Sequence, residues 1–189
     1  MTGKTHQILG LSCGLTYFLV AANSSYAPAT LAAVLVASHL AALIPDIDEH
    51  SALIWEKIPL GHALGHVSDP FLKHRNLTHT FLSVVIFLFA AKYLIGVFPA
   101  YWNIDKNILL VSSVIAYSSH IFADMFTAEG VPLFFPIKKM IGIPPKPFQG
   151  VRIQTGKWFE NLIIFPVLNL YLVVIIINYW DKIKIALFK

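Results

Sequence analysis

The sequence predicts an all-α integral membrane protein, a bundle of about four to five transmembrane helices with a polar metal site at one membrane rim. Three observations predict it. The 189-residue chain is 57% hydrophobic and 13% charged, with a mean hydropathy of +0.68, whereas soluble domains run about 45–50% apolar and about 25% charged. The apolar residues gather into long runs. The His and Asp residues cluster at the ends of those runs. The excess of 14 Lys+Arg over 10 Asp+Glu gives +4, too slight and too scattered for a nucleic-acid-binding surface. Cys13 is the lone cysteine, so no internal disulfide holds the fold. The length fits one domain over residues 1–189.

The runs are Leu9 to Ala22, Ala29 to Ile44, Phe81 to Phe98, Ile108 to Ala123 and Leu162 to Trp180. A spanning helix takes about 20 residues and about 17 at the least, so the first two runs must recruit flanking polar residues or cross only in part. Asn23-Ser24-Ser25-Tyr26-Ala27-Pro28 is an uncharged turn that predicts an antiparallel hairpin of those two. Pro99, Asn103 and Asp105 mark the turn between the third and fourth. The first run, with Lys4 before it, also fits a cleaved signal peptide, although cleavage would discard His6. A lipoprotein site at Cys13 fails, because the apolar run follows that cysteine rather than preceding it.

Two longer loops remain, Pro45 to Thr80 and Met125 to Asn161. With the N-terminus inside, the inner side receives Lys4, Lys57, Lys73, Arg75, Lys138, Lys139, Lys146, Arg152 and Lys157. The outer side receives Lys106, Lys182, Lys184 and Lys189, against the trend. The bias predicts a multi-pass protein of a bacterial-type inner membrane, with the N-terminus and both long loops cytoplasmic.

On that topology the candidate ligands converge on one side. His6 precedes the first run, Asp46 and Asp48 follow the second, and His74 and His79 precede the third. His120 and Asp124 close the fourth, and Glu160 precedes the fifth. Ionisable groups at a membrane edge are costly and mark function. His120 and Asp124 stand one helical turn apart on one face; together they can bind a metal, or the carboxylate can orient the imidazole. Asp46 and Asp48 offer paired oxygen ligands of the kind that suit a divalent cation. In His74-Arg75-Asn76-Leu77-Thr78-His79, Thr78 can cap the coming helix, His79 can ligate metal and Arg75 can grip a phosphate. His39 shares the helix face of Asp46 two turns deeper and suits a hydrogen bond inside the bundle. His62 and His66, with Asp69 near, form a second metal pair only if their loop is helical. The basic residues of the second loop set orientation or meet anionic headgroups.

Thr5-His6, Leu43-Ile44-Pro45-Asp46-Ile47-Asp48 with Ser51 after it, His74-Arg75-x-x-Thr78-His79 and His120-x-x-x-Asp124-x-x-Thr127-x-x-Gly130 together resemble the YdjM-like family. Its members are described as inner-membrane metal-dependent hydrolases, distantly similar to zinc phospholipase C and the nuclease P1 group. The likeness runs from the N-terminus through Thr155-Gly156 and Glu160. It departs at Asn76, where the family often has Gly, at Thr80, where Ser is common, and at Glu49 before His50. The resemblance implies His6, Asp46, His79, His120 and Asp124 as metal ligands, with Asp48 and Glu160 next in line.

The function expected is hydrolysis of a phosphoester on a phospholipid or lipid-linked substrate. One to three divalent ions, Zn²⁺ foremost with Mn²⁺ or Mg²⁺ as alternatives, would activate water. Asp48 or Glu160 would serve as general base and Arg75 would neutralise the phosphate. A HExxH metallopeptidase motif is absent, and so are the companion motifs of the lipid-phosphatase superfamily. A cation or proton transporter is the second class, disfavoured by ligands gathered at one rim and by the lack of an inverted repeat. A non-catalytic scaffold with a structural metal is the third.

Overall fold

The computed structural model describes residues 1–21, 27–49, 53–56, 77–137 and 139–188. Among these residues the chain is helical, with two isolated β-bridges and no strands. The helices are α1 (Gly3–Ala21), α2 (Pro28–Ala41), the short α3 (Leu53–Glu56), α4 (Phe81–Gly96), α5 (Lys106–Asp124), α6 (Phe165–Asn178) and α7 (Trp180–Phe188). A 3₁₀ turn, Ile44–Asp48, continues α2, and a π-helical turn, Glu160–Ile164, leads into α6.

Their limits follow from local chemistry. Pro28 opens α2, where its missing N–H costs nothing and its fixed φ suits the first turn. Asp105 caps α5 by accepting from the amides of Asn107 and Ile108. Thr80, not Thr78, caps α4, its hydroxyl accepting from Ser83 N at 3.1 Å. Thr78 is two residues too early for that task and serves the site instead.

α5 is the central helix, packed by α1, α2 and α4, while α6 leans on α1. α1 and α2 run antiparallel, since Gly14 faces Ser38 and Gly10 faces Ala42. The contact is close. A Cβ on Gly14 would lie 2.0 Å from Ser38 Oγ, and one on Gly10 would lie 2.4 Å from Ala42 Cβ. Gly10 and Gly14 thus form a small-xxx-small surface that lets two backbones approach. The Asn23–Tyr26 turn expected to join these helices lies outside the described residues.

The core is layered along the bundle. Leu15, Phe18, Leu19, Leu31, Val34 and Leu109 pack at one end. Ala41, Ala116, Tyr117, Ile121 and Val131 form the next layer. Beyond them lie Thr5, His6, His79, His120 and Asp124, all buried and all polar.

Among the described residues, two helices are long and apolar enough to cross a membrane, Pro28–Asp48 and Glu160–Asn178, with Phe81–Gly96 a shorter apolar helix. That is fewer than the four to five expected. The shortfall has a physical cause: α1 and α5 carry Thr5, His6, Gln7 and Ser12, and Ser112, Ser113, His120 and Asp124, all turned into the bundle. Their polarity is spent inside, so their mean hydropathy understates how apolar their outer faces are. α6 is the converse case. It buries only Ile175 and exposes Val167, Leu170, Val173, Val174 and Ile177, a surface suited to lipid.

The second loop is ordered by its own contacts. Bridges join Thr127 to Ile153 and Val131 to Ile141. Arg152 donates to the carbonyls of Pro144 and Gly142 at 2.8 and 3.0 Å, so it holds the loop together. Gly130 has φ +70°, and a Cβ there would strike Ile141 O at 2.4 Å; the turn requires glycine.

Candidate metal centre

Five side chains meet at one end of the bundle. His6 enters from the first turns of α1, Asp46 from the 3₁₀ turn after α2 and His79 from just before α4; His120 and Asp124 come from the last turns of α5. Asp46 Oδ1, His79 Nε2 and His120 Nε2 form a triangle with sides of 3.4, 3.3 and 3.3 Å. Asp124 Oδ2 stands 3.6 Å from His79 Nε2 and 3.7 Å from His120 Nε2. For ligands about 2.0–2.2 Å from a tetrahedral ion, neighbouring donor atoms are about 3.3–3.6 Å apart. The triangle fits that spacing.

The tautomers are set by the surroundings. His120 Nδ1 lies 2.6 Å from the carbonyl of Ala42, which can only accept, so Nδ1 carries the proton and Nε2 turns a lone pair inward. Thr78 donates its hydroxyl to Asp48 Oδ2 at 2.6 Å, leaving Oγ1 to accept from His79 Nδ1 at 3.0 Å. The Nε2 lone pair of His79 therefore also points inward. Two lone pairs 3.3 Å apart repel unless a proton or a cation lies between them. Backing of this kind, a ligand His held through its other nitrogen, is the usual support of a metal site.

His6 supplies the test of fit. Its ring stacks on that of His120, centroids 3.5 Å apart, and Nε2 lies 3.2 Å from Asp124 Oδ1. Yet both ring nitrogens are buried without a hydrogen-bond partner, an arrangement that costs about 1–3 kcal/mol. The Met1 amino group donates to Asp124 Oδ1. His6, His120 and Asp124 form one possible ligand group and Asp46, His79 and His120 another, sharing His120. Two buried carboxylates beside neutral imidazoles carry −2, offset only in part by the Met1 ammonium, so the cluster favours a cation. The residues fit a metal. With no metal bound, burial pulls the His79 pKa down, but the carboxylates of Asp124 and Asp46 outweigh it and raise it to about 9.

The structure thus brings together five of the expected residues and sets two behind them. Asp48, 1% exposed, is reached through the Thr78 hydroxyl. Glu160 accepts from Thr2 N at 2.6 Å, Thr2 Oγ1 at 2.9 Å and Gly156 N at 2.7 Å, so it clasps the start of α1 to the segment before α6. His39 bonds Gln7 Nε2 at 3.0 Å, inside the bundle. Arg75, with His62, His66, Asp69, His74 and Asn76, lies outside the described residues. The linking hydroxyl of Thr78, the clasp by Thr2 and the Ala42 carbonyl escape a sequence reading. They are tertiary contacts between residues with no distinguishing spacing.

Such an arrangement defines a helical protein with an apolar exterior and a buried His/Asp cluster. The chain belongs to the YdjM inner membrane protein family, whose profile matches residues 1–183, and it is a membrane protein of that family. It is 30% identical over 165 residues to YvsG of Bacillus subtilis (strain 168), covering 87% of this chain and 88% of that one. It is 30% identical over 151 residues to the inner membrane protein YdjM of Escherichia coli (strain K12), covering 76% and 70%. The YdjM of Shigella flexneri matches to the same extent. No solved structure matches the chain.

Proposed function

We propose that the protein is a membrane-bound, metal-dependent hydrolase of phosphoesters carried on a lipid. The observation that carries the reading is the triangle of Asp46 Oδ1, His79 Nε2 and His120 Nε2, with sides of 3.3 to 3.4 Å. With Asp124 Oδ2 3.6 and 3.7 Å from the two nitrogens as a further donor, this is a mixed His and carboxylate set of the kind catalytic sites use, and the reading requires that one coordination position stay open to water or substrate. A divalent ion of the Zn²⁺ or Mn²⁺ class, when bound, polarises a phosphoryl oxygen and acidifies a water.

The chain's own residues do the rest. Ala42 O and Thr78 Oγ1 hold the two imidazoles in the ligating tautomer. Asp48 acts through Thr78 as a positioning residue, and Glu160 fixes the start of α1 so that His6 faces Asp124. Arg75 is assigned the substrate phosphate, a guanidinium being suited to two-pronged binding. The bundle crosses the membrane with α1, α2, α4, α5 and α6, and the centre faces the cytoplasm.

The test is hydrolysis of a phosphodiester and of phosphatidic acid by detergent-purified protein loaded with Zn²⁺ or Mn²⁺. Turnover is expected from the wild type and only background from His120→Ala. Wild-type protein that holds metal yet cleaves neither substrate would sink the reading in favour of a structural metal.

A further inference from the structure

α2 and α4 both pack on α5 and leave a groove between them of about 550 Å³. Ala33, Ala37 and Ala41 line one wall and Phe87, Ala90 and Leu94 the other. The three alanines recur every fourth residue, on one helix face, and their short side chains leave the space between the walls unfilled. The volume is that of a small-molecule site, commonly about 300–1,000 Å³. Ser113 is the one polar side chain in its lining, so the groove suits an aliphatic chain and nothing that needs hydrogen bonds.

One end of the groove is Ile44, two residues before Asp46. Asp46 is also where the metal centre meets its surroundings. Its side chain is 17% exposed, while those of His6, His79, His120 and Asp124 are at most 1% exposed. The head of the groove thus lies two residues along the chain from the most exposed of the five cluster residues. Val36 and Leu94, 61% and 59% exposed, stand on the rims, so the groove opens along the side of the bundle that faces lipid.

We infer that this groove seats one acyl chain of a lipid phosphate whose headgroup lies at the Asp46 edge of the metal centre. The inference rests on the hydrolase reading and names its substrate more closely. A chain moving from bilayer to groove gains little affinity, since both are apolar. What the groove contributes is alignment: a held chain fixes where the phosphate stands relative to the ligands. A bystander bilayer lipid would fill the same space without regard to its headgroup.

Two photoreactive probes with the same diazirine-bearing acyl chain, a lysophosphatidic acid whose phosphate head is a non-hydrolysable phosphonate and a monoacylglycerol, separate these cases. Metal-loaded full-length protein in phosphatidylcholine nanodiscs is irradiated with each, and labelled residues are mapped by mass spectrometry. The expected result is labelling within Pro28–Asp48 and Phe81–Gly96, several-fold stronger with the phosphonate-headed probe. Ala90→Trp, which fills the groove from an exposed position, should suppress that labelling and leave bound metal unchanged; Val36→Trp on the opposite rim should do the same. Equal labelling by both probes, or labelling undiminished in both variants, overturns the assignment. Phosphonate-selective labelling by a protein that cleaves nothing would support the groove and refute the hydrolase reading. Turnover without groove labelling would do the reverse.

Discussion

His79 depends on a hydroxyl for its ligand geometry. Thr78 donates to Asp48 and so can only accept from His79 Nδ1, which turns the Nε2 lone pair towards Asp46 and His120. Thr78→Val keeps the shape and removes the link, leaving both Asp48 Oδ2 and His79 Nδ1 without that partner. Outer-shell losses of this kind typically cost about 10–100-fold in metal affinity. Competition against a chelator of known affinity should show that loss with helical content unchanged. A variant binding metal like wild type would show that the Asp48–Thr78–His79 chain has no part in it. For single residues the sequence is informative about which side chains cluster and silent about their supports. His6, Asp46, His79, His120 and Asp124 stand out because charged or titratable groups beside apolar runs need a reason to be there. Thr78 and Ala42 have no such mark; a threonine before a helix reads as a cap, and the cap is Thr80.

At the scale of elements, the centre exists because α1, α2 and α5 approach closely enough to present His6, Asp46 and His120 to one another. Gly10 and Gly14 permit the α1–α2 contact. Gly14→Leu would drive a side chain into Ser38, whose Oγ lies 2.0 Å from the position of a Cβ. Overpacking typically costs about 1–3 kcal/mol, and here it also prises apart two helices that carry ligands. A lowered melting temperature in detergent, together with weakened metal binding, is the expected outcome. Unchanged stability would mean that the two helices do not meet at Gly14. The helices themselves are legible as apolar runs, with α4 and α5 closest to their expected limits. α1 and α5 are harder to read as spans, because their inward polar residues dilute the apolar signal. The groove between α2 and α4 has no signature, since it depends on how two non-adjacent segments lean on a third.

For the whole molecule, the buried His/Asp cluster lies at one end of a bundle whose sides are apolar, and α6 buries only Ile175. Five crossings would place the two termini on opposite sides of the membrane. A tag fused after Lys189 should be reached by a membrane-impermeant reagent added to intact cells, while one placed before Met1 should be protected. Equal protection of both tags would require an even number of crossings. The basic residues weigh towards a cytoplasmic N-terminus, although Lys182, Lys184 and Lys189 oppose it.

Every role proposed for these residues requires the cluster to hold a metal ion. The most direct test of that requirement is the metal content of detergent-purified protein, measured by inductively coupled plasma mass spectrometry on wild type and His120→Ala after growth with added Zn²⁺ and Mn²⁺. Stoichiometric divalent metal is expected in the wild type and its loss in the variant, with helical content retained. Wild-type protein free of metal, or a variant that keeps its full complement, would contradict it.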